Sequence, residues 1–352
     1  MYDVIVVGAR CAGATTALLL ARAGHRVLLV ERARFPRDTM CSLYIEPRGV
    51  ALLRDWGLLA DVVAAGAPLL DHIGVVRLPG PAFAPRRFLL DEILVRAAVA
   101  AGVEFRDGCS VTGLEFDANR VVGVRHRARG TEVVERAWLV VGADGMRSGV
   151  AAAVRAPLLV NDRPRTCVYY GFFAGAAARA ELYATPGRWV AAVPTNDGAT
   201  LVQAYFPQSA YARVRVDPPA AFAANVRTAA PDLWDRMRAG GQVDRLRGTG
   251  DQRNFFRTAA GRGWVLVGDA GHHRDAITAH GITHAFQQSR LLADLLPADL
   301  ADENRVRTAL DVFAARRDEE LTADYRDSLA VADLSSTWDR PRPGFSSGLS
   351  PR

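Results

Sequence analysis

The residues of this chain best suited to chemistry are glycines and acids at fixed spacings, the equipment for holding a phosphorylated, hydroxyl-rich ligand. Residues 8–13 read GARCAG, and Glu31 follows roughly 20 residues past that turn. Gly8 lets a strand turn sharply, and Gly13 lets a helix pack closely on a sheet. The free N–H groups at Ala12 to Ala14 then face a pyrophosphate, and Glu31 can accept hydrogen bonds from ribose hydroxyls. Arg10 stands where the middle glycine of such a turn usually sits. Its side chain either crowds the pyrophosphate or swings out to contact phosphate or solvent. GADGMRS at 142–148 and GDAGHHRDAITAHGI at 268–282 continue the theme. Gly268 allows a tight strand exit, Asp269 can accept hydroxyl hydrogen bonds, and Gly281 opens a helix whose first amides can stabilise negative charge.

These residues work only if regular elements hold them. The apolar, β-branched run 2–7 predicts a buried parallel strand. A helix is expected over about 12–23, capped at Gly24, and a second strand over 26–30. Short helices at 45–56 and 57–65, a strand at 72–78 with a Pro/Gly loop at 79–85, a helix at 91–101 and a strand at 103–105 follow. Three strands at 109–116, 121–127 and 131–138 form a meander expected to cover one face of the parallel sheet, leading into the buried run 139–141. Segments 167–173, 188–193 and 200–206, rich in Tyr, Phe, Trp and Val, read as a second, antiparallel sheet. Helices at 218–229 and 231–238, a strand at 264–267, and helices at 281–296 and 306–332 complete the pattern. The Pro/Gly/Ser-rich tail from Ser335 is expected to be poorly ordered.

Composition narrows the class. Apolar residues make up 49% of 352, ordinary for a globular protein, and no stretch approaches the ~20 apolar residues of a membrane span. The first strand begins at residue 2, which leaves no room for a signal peptide, so a cytoplasmic protein is expected. Cys11, Cys41, Cys109 and Cys167 show no C-x-x-C pair and no metal spacing, so free thiols and no metal site are expected. The net charge is +6, and every basic side chain is arginine. The arginines are scattered, without the stripe and interleaved aromatics of a nucleic-acid binder.

Taken in order, and with Ala-Gly-Val at 101–103 before the meander, the three motifs resemble the flavoprotein monooxygenases of the para-hydroxybenzoate hydroxylase type. The closest likeness is to the branch shared with geranylgeranyl reductases and flavin-dependent halogenases. It covers about residues 1–155 and 255–330 and is weak across the middle. The resemblance implies an α/β fold: a Rossmann-like, glutathione-reductase-type FAD-binding domain with a β-meander, an inserted antiparallel-sheet substrate domain and a C-terminal helix. The FAD-binding segments would be 1–68, 91–157 and 255–334, the substrate segments 69–90 and 158–254, and the tail 335–352. Gly8, Arg10, Gly13, Glu31 and Arg32 would form the site for the ADP half of FAD. Arg87, in R-x-x-L-D, matches an arginine that contacts FAD, and Val111 matches a backbone contact near the adenine. Asp144, with Gly145, matches a motif associated with both FAD and NAD(P)H. Asp269 matches the acid that binds the ribityl chain or phosphate. The turn at 279–282, with Gly281 and Ile282, would lie against the isoalloxazine, where helix amides face the charge of reduced flavin.

Departures from the family pattern shape the functional reading. Ala276 replaces a proline, which removes a constraint from the loop beside the flavin. His272 and His273 sit where one histidine or aromatic is usual, and His280 where a polar residue is common; packing and hydrogen bonding are the commoner roles for such histidines. The halogenases use a lysine and a W-x-W-x-I-P segment, whereas this chain has no lysine and RWVAAVP at 188–194 keeps one Trp and the Pro. Halogenation is therefore set aside. Geranylgeranyl reductases have Y-x-W-x-F-P there and a cysteine at the place of Cys41. Tyr169, Tyr170, Phe172, Trp189, Gln203 and Tyr205 are candidate pocket walls, although strand alternation sends half of any such set the other way. The expected activity is that of an FAD-dependent oxidoreductase. Its leading form is an NAD(P)H- and O2-dependent monooxygenase acting on a small aromatic or polyketide-like compound, with no side chain required as acid or base. A flavin-dependent C=C reductase and a non-catalytic flavin-binding protein are the alternatives.

Overall fold

The computed structural model describes residues 1–128 and 130–335. Tyr2–Val7 lies between Val27–Val30 and Thr131–Gly142 and runs parallel to both. Its Val4, Ile5 and Val6 are wholly buried, which explains the uninterrupted apolar run: a parallel strand is covered on both faces. The eight-stranded sheet has the order Ala260–Gly261, Trp264–Leu266, Thr131–Gly142, Tyr2–Val7, Val27–Val30, Glu104–Arg106, and Cys109–Asp117 and Arg120–Ala128 pair with each other and with Thr131–Gly142 as the meander. Helices Cys11–Arg22, Arg87–Ala100 and Gly281–Leu295 cover one face through Leu18, Leu94 and Phe286. The meander covers the other, where Leu114, Val121 and Val124 pack on Ile5, Leu28 and Val140. Each such fully buried side chain contributes roughly 1.5–3 kcal/mol against the entropy of ordering the chain.

The second sheet is five-stranded and antiparallel, ordered Glu181–Thr185, Arg188–Pro194, Ala199–Pro207, Thr166–Ala174, Gln242–Thr249. Helices Pro218–Ala229 and Pro231–Gly240 pack on one of its faces through Phe222 and Leu233. A three-stranded sheet joins Leu158–Asp162, Asn254–Arg257 and His272–His273. The last helix, Glu303–Ala332, buries Phe313, Leu321 and Tyr325.

Several boundaries differ from expectation. The strand expected at 72–78 and the loop after it form a hairpin, Leu69–Ile73 with Val76–Phe83, turning at Gly74 with φ 60°. Its prolines are tolerated because each strand of a two-stranded sheet has a free edge. The helix expected from 91 starts at Arg87, with Arg86 as its N-cap, and the Arg86 N–H donates to Asn196 Oδ1 at 2.8 Å, a partner no local pattern reveals. Leu158–Asp162, Gln242–Thr249 and His272–His273 escaped notice because their sequences are polar or short. The tail beyond Ser335 lies outside the described residues. No helix among the described residues is long and apolar enough to cross a membrane.

Candidate functional site

The turn at 8–13 is built by close backbone approach. Gly8 has φ 98°, and a Cβ there would lie 2.5 Å from the Ala143 carbonyl oxygen; one on Gly13 would lie 1.7 Å from the Gly8 oxygen. Helix Cys11–Arg22 then starts without a side-chain cap, so its first amides are left for an anion. Glu31 is buried beneath the turn, where its two carboxylate oxygens accept from the Ala9 N–H at 3.0 Å and the Ala33 N–H at 2.9 Å. Each oxygen retains a lone pair for a hydroxyl. Arg32, beside it, is exposed. Val111 is half-buried on the meander, opposite His126.

Arg10 swings out of the turn, and its partner is a carboxylate. Its guanidinium donates to Asp91 Oδ2 at 3.1 Å, while Arg87 grips the same carboxylate with Nη2 at 2.9 and 3.2 Å. Asp91 is wholly buried. Burial opposes the charge of Arg87, but Asp91 outweighs it and holds the guanidinium well above its usual range. Two guanidiniums against one carboxylate leave a positive charge behind the turn.

The other two motifs reach the same place. A Cβ on Gly8 would lie 3.1 Å from the Asp144 Cα, and one on Gly268 would lie 2.8 Å from the Ala12 Cβ. Thr16 and Ser289 hydroxyls, 2.9 Å apart, tie helix Cys11–Arg22 to helix Gly281–Leu295. One Asp144 oxygen accepts from the Gly149 N–H at 2.7 Å at the start of the helix Gly149–Ala153, which Ser148 caps. The other, Oδ1, is buried without a hydrogen-bond partner among the described residues. Asp269 is exposed. Gly281 opens its helix with no side-chain cap and nothing within 4 Å of where its Cβ would be, and Ile282 is buried beside it.

The replacement at 276 is compensated. The Ala276 N–H donates to Gln252 Oε1 at 3.2 Å, a bond proline cannot make. Asp275 is tied by the Thr166 hydroxyl at 2.7 Å and by its own N–H to Asn254 Oδ1 at 2.7 Å. Burial pushes the Asp275 carboxyl up to about 6.

The histidines divide into two groups. His272 is buried with its ring 4.3 Å from that of Phe256, and burial, then Arg274, holds it well below its usual value. His273 Nδ1 meets the Arg253 carbonyl. Both side chains are therefore engaged in packing or in a main-chain contact. His280 and His284 converge instead on Asp324 of the last helix: His284 Nε2 is 2.8 Å and His280 Nδ1 3.4 Å from Asp324 Oδ2. Sequence spacing gave no hint of this group, whose three candidate ligand atoms lie within 4.8 Å of one another. Arg274 Nη1 lies 2.6 Å from His284 Nδ1. Arginine can only donate, so Nδ1 accepts and Nε2 carries the proton. That proton points at Asp324, where a metal would need a lone pair. Burial, reinforced by Arg274, pushes His284 down to about 3. Burial works against the Asp324 charge, but hydrogen bonds from both histidines hold its carboxyl well below the usual range.

The second sheet turns a mixed aromatic and polar face toward these turns. Tyr170, Phe172, Trp189, Gln203 and Tyr205 share it by register, while Tyr169 faces the helices. It packs on Leu43, Tyr44, Ile277 and Ala279. Sequence reasoning missed Arg86, whose guanidinium sits 3.8 Å over the Phe172 ring and 2.6 Å from Asp38. It also missed Arg247, opposite Tyr170 in the ladder, whose Nε is buried without a partner among the described residues. Both lie in ordinary-looking Arg-rich stretches, and only strand pairing exposes them.

This junction combines two uncapped helix starts, an orphaned Asp144 oxygen and an excess guanidinium, a donor and acceptor set that fits a dinucleotide. The chain matches the FAD binding domain family over residues 1–77 and 83–323. It belongs to that family. It is 28% identical over 335 residues to 6-methylpretetramide 4-monooxygenase of Streptomyces rimosus, covering 90% of this chain and 80% of that protein. It is 29% identical over 341 residues to menaquinone reductase of Mycobacterium tuberculosis, covering 85% and 78%. The fold superposes on a myxobacterial chondrochloren halogenase with a TM-score of 0.86 at 25% identity, covering 98% of this chain and 85% of that one. The protein is an FAD-dependent oxidoreductase with the fold its sequence led one to expect. Relatives named for oxygenation, reduction and halogenation share this frame, so the frame alone does not choose the reaction.

Proposed function

We propose that the protein is an NAD(P)H-dependent monooxygenase that hydroxylates a small aromatic or polyketide-like compound. The observation that carries this reading is the shared face of Tyr170, Phe172, Trp189, Gln203 and Tyr205, packed toward Ile277 and Ala279. Such a face suits a flat, partly oxygenated ring: the aromatics cover it, and Gln203 with the Tyr170 and Tyr205 hydroxyls orients it. In this reading Gly8, Gly13 and Glu31 seat the ADP half of FAD, with Arg10 and Arg32 flanking the turn and Arg87 and Val111 beside it. Asp144 and Asp269 hold its phosphate or ribityl hydroxyls, and Gly281 and Ile282 offer amides to the flavin ring. Segments 1–68, 91–157 and 255–334 serve the cofactor, and segments 69–90 and 158–254 the substrate. Bound FAD supplies the electron and oxygen chemistry. The protein positions the ring, keeps water away and carries no obligatory acid or base. The absence of lysine from the whole chain weighs against routing the oxygen to a halide.

The test is to reduce the FAD-loaded protein with NADPH or NADH without air, then admit O2 with candidate aromatics. Substrate-dependent nicotinamide oxidation and a product heavier by one oxygen atom are expected. A product gaining two hydrogens without O2 uptake would make it a reductase, the reading that the menaquinone reductase likeness favours. Bound flavin that neither nicotinamide reduces would leave a flavin-binding protein.

A further inference from the structure

We propose that Thr166 and Gln252 are positioning residues for the reaction, members of a hydrogen-bonded ring that sets how the substrate face stands against the loop beside the flavin. The inference rests on the monooxygenase reading of that site. Thr166 is the first residue of strand Thr166–Ala174, and alternation puts its side chain on the face that carries Tyr170 and Phe172. Gln252 follows the neighbouring strand Gln242–Thr249. Asp275 and Ala276 belong to the loop that leads to Ala279 and Gly281. Thr166, Gln252 and Asp275 are all buried. The ring therefore joins the segment assigned to the substrate to the segment assigned to the cofactor.

Each bond in the ring has a fixed direction. A main-chain N–H can only donate, so the Ala276 amide, 3.2 Å from Gln252 Oε1, turns Gln252 Nε2 toward Thr166. That nitrogen donates to Thr166 Oγ1 at 2.7 Å, and the Thr166 hydroxyl donates to Asp275 Oδ2 at 2.7 Å. The peptide bond from Asp275 to Ala276 closes the circuit. Asp275 Oδ1 accepts from the Ile277 N–H at 3.2 Å, and Ile277 packs with Val168, Trp189 and Tyr205. Two further bonds hold the loop from other sides. The Asp275 N–H donates to Asn254 Oδ1 at 2.7 Å, and the Thr278 and Ser328 hydroxyls lie 2.7 Å apart. Asn254 and Ser328 both lie outside the five-stranded sheet. The polar link between loop and substrate face thus falls to the Thr166 hydroxyl and the Gln252 amide. A misplacement of about 1 Å costs a reaction about a hundredfold, so a link at this junction acts on the chemistry without touching it.

The experiment compares the wild-type FAD holoenzyme with Thr166→Val, which keeps the shape and removes the hydroxyl, and Thr166→Ser, which keeps the hydroxyl. Two quantities are read: product formed per nicotinamide oxidised, and hydrogen–deuterium exchange of segment 275–279. In Thr166→Val the product yield should fall about tenfold. The missing electrons should appear as hydrogen peroxide, one molecule from O2, a proton and each NAD(P)H that becomes NAD(P)+. Exchange in 275–279 should rise about tenfold, with FAD affinity within about twofold of wild type. Thr166→Ser should recover most of the yield. Faster exchange with an undiminished yield would make the ring a structural brace and overturn the proposal, and unchanged exchange would overturn it too. If Thr166→Val does not fold, Gln252→Met cuts the other arm and must show the same loss of yield; a fully coupled Gln252→Met refutes the proposal. Wild-type protein that oxidises nicotinamide without oxygenating any candidate overturns the monooxygenase reading. The exchange measurement needs no substrate, so unchanged exchange in Thr166→Val is then the result that overturns the ring as well.

Discussion

The two helices that open toward the motif junction start alike and are surrounded differently. Cys11–Arg22 and Gly281–Leu295 both lack a side-chain cap, and Gly268 brings the second close to Ala12 of the first. Behind the first start lie guanidiniums, which keep their charge at any physiological pH, clamped on wholly buried Asp91. Behind the second, next to the buried Arg274 guanidinium, lie groups whose charge depends on a proton: Asp275, pushed up to about 6 by burial, and His284, pushed down to about 3 by burial and Arg274. The glycines differ as well. Gly13 has no room for a Cβ, whereas Gly281 faces open space. One end is built around fixed charge and tight backbone contact, as a pyrophosphate requires. The other leaves open space and combines a fixed guanidinium with a carboxyl that titrates near neutrality.

Five single variants would break or sharpen that contrast, and the largest effect falls on the fixed-charge side. Asp91→Ala leaves Arg87 buried without its partner, so chemical denaturation should show a loss of about 3–5 kcal/mol. Restored stability in a double variant that also removes Arg87 would confirm the cause. Gly13→Ala should come next. Its Cβ overlap with the Gly8 oxygen should weaken FAD binding at least hundredfold, or about 3 kcal/mol, read by flavin fluorescence. Gly281→Ala should instead leave the apoprotein within about 0.5 kcal/mol of wild type. Equal damage at both glycines would erase the distinction drawn between the two ends.

The adjustable side should respond to acid. The folded-state value of His284 lies below its ordinary 6.5, so the unfolded chain takes the proton first as pH falls. Stability from this residue is complete above pH 6.5 and is lost progressively toward pH 3, about 2 kcal/mol of it by pH 5. Asp275 acts with the opposite sign: its raised value favours the folded state at low pH and loses that contribution as pH rises through about 6. The informative quantity is therefore the difference between wild type and His284→Gln, whose amide can still accept from Arg274 and donate to Asp324. The variant should lose less stability than wild type between pH 6.5 and pH 5. The smallest effect is expected from Arg10→Gly, because Arg87 still holds Asp91: under about 1 kcal/mol in stability and less than tenfold in FAD affinity. A larger loss of affinity would place the Arg10 guanidinium on the phosphates.

What could be read from the sequence tracks how local the cause is. Tyr2–Val7, the Gly8 and Gly13 turn and the meander were legible because glycine chemistry and apolar alternation act over a few residues. The face shared by Tyr170, Phe172 and Gln203 was legible in composition, but its direction had to come from the ladder that pairs Tyr170 with Gln203 and Arg247. Arg10 could be flagged as a departure, yet its partner lies 81 residues away. The His280, His284 and Asp324 group stayed hidden for the same reason: two members share one helix, and the third arrives from the last helix in the chain. Ala276 could be seen as a lost proline, but the Gln252 bond that replaces the constraint could not.

The central claim is that the turns at Gly8, Asp144 and Gly268 enclose one FAD molecule. Titrating the apoprotein with FAD and following flavin fluorescence tests it most directly. Saturable quenching at one FAD per chain, with a yellow protein recovered after gel filtration, is the expected result. Fluorescence that stays free at every protein concentration, and a colourless protein after filtration, would contradict it.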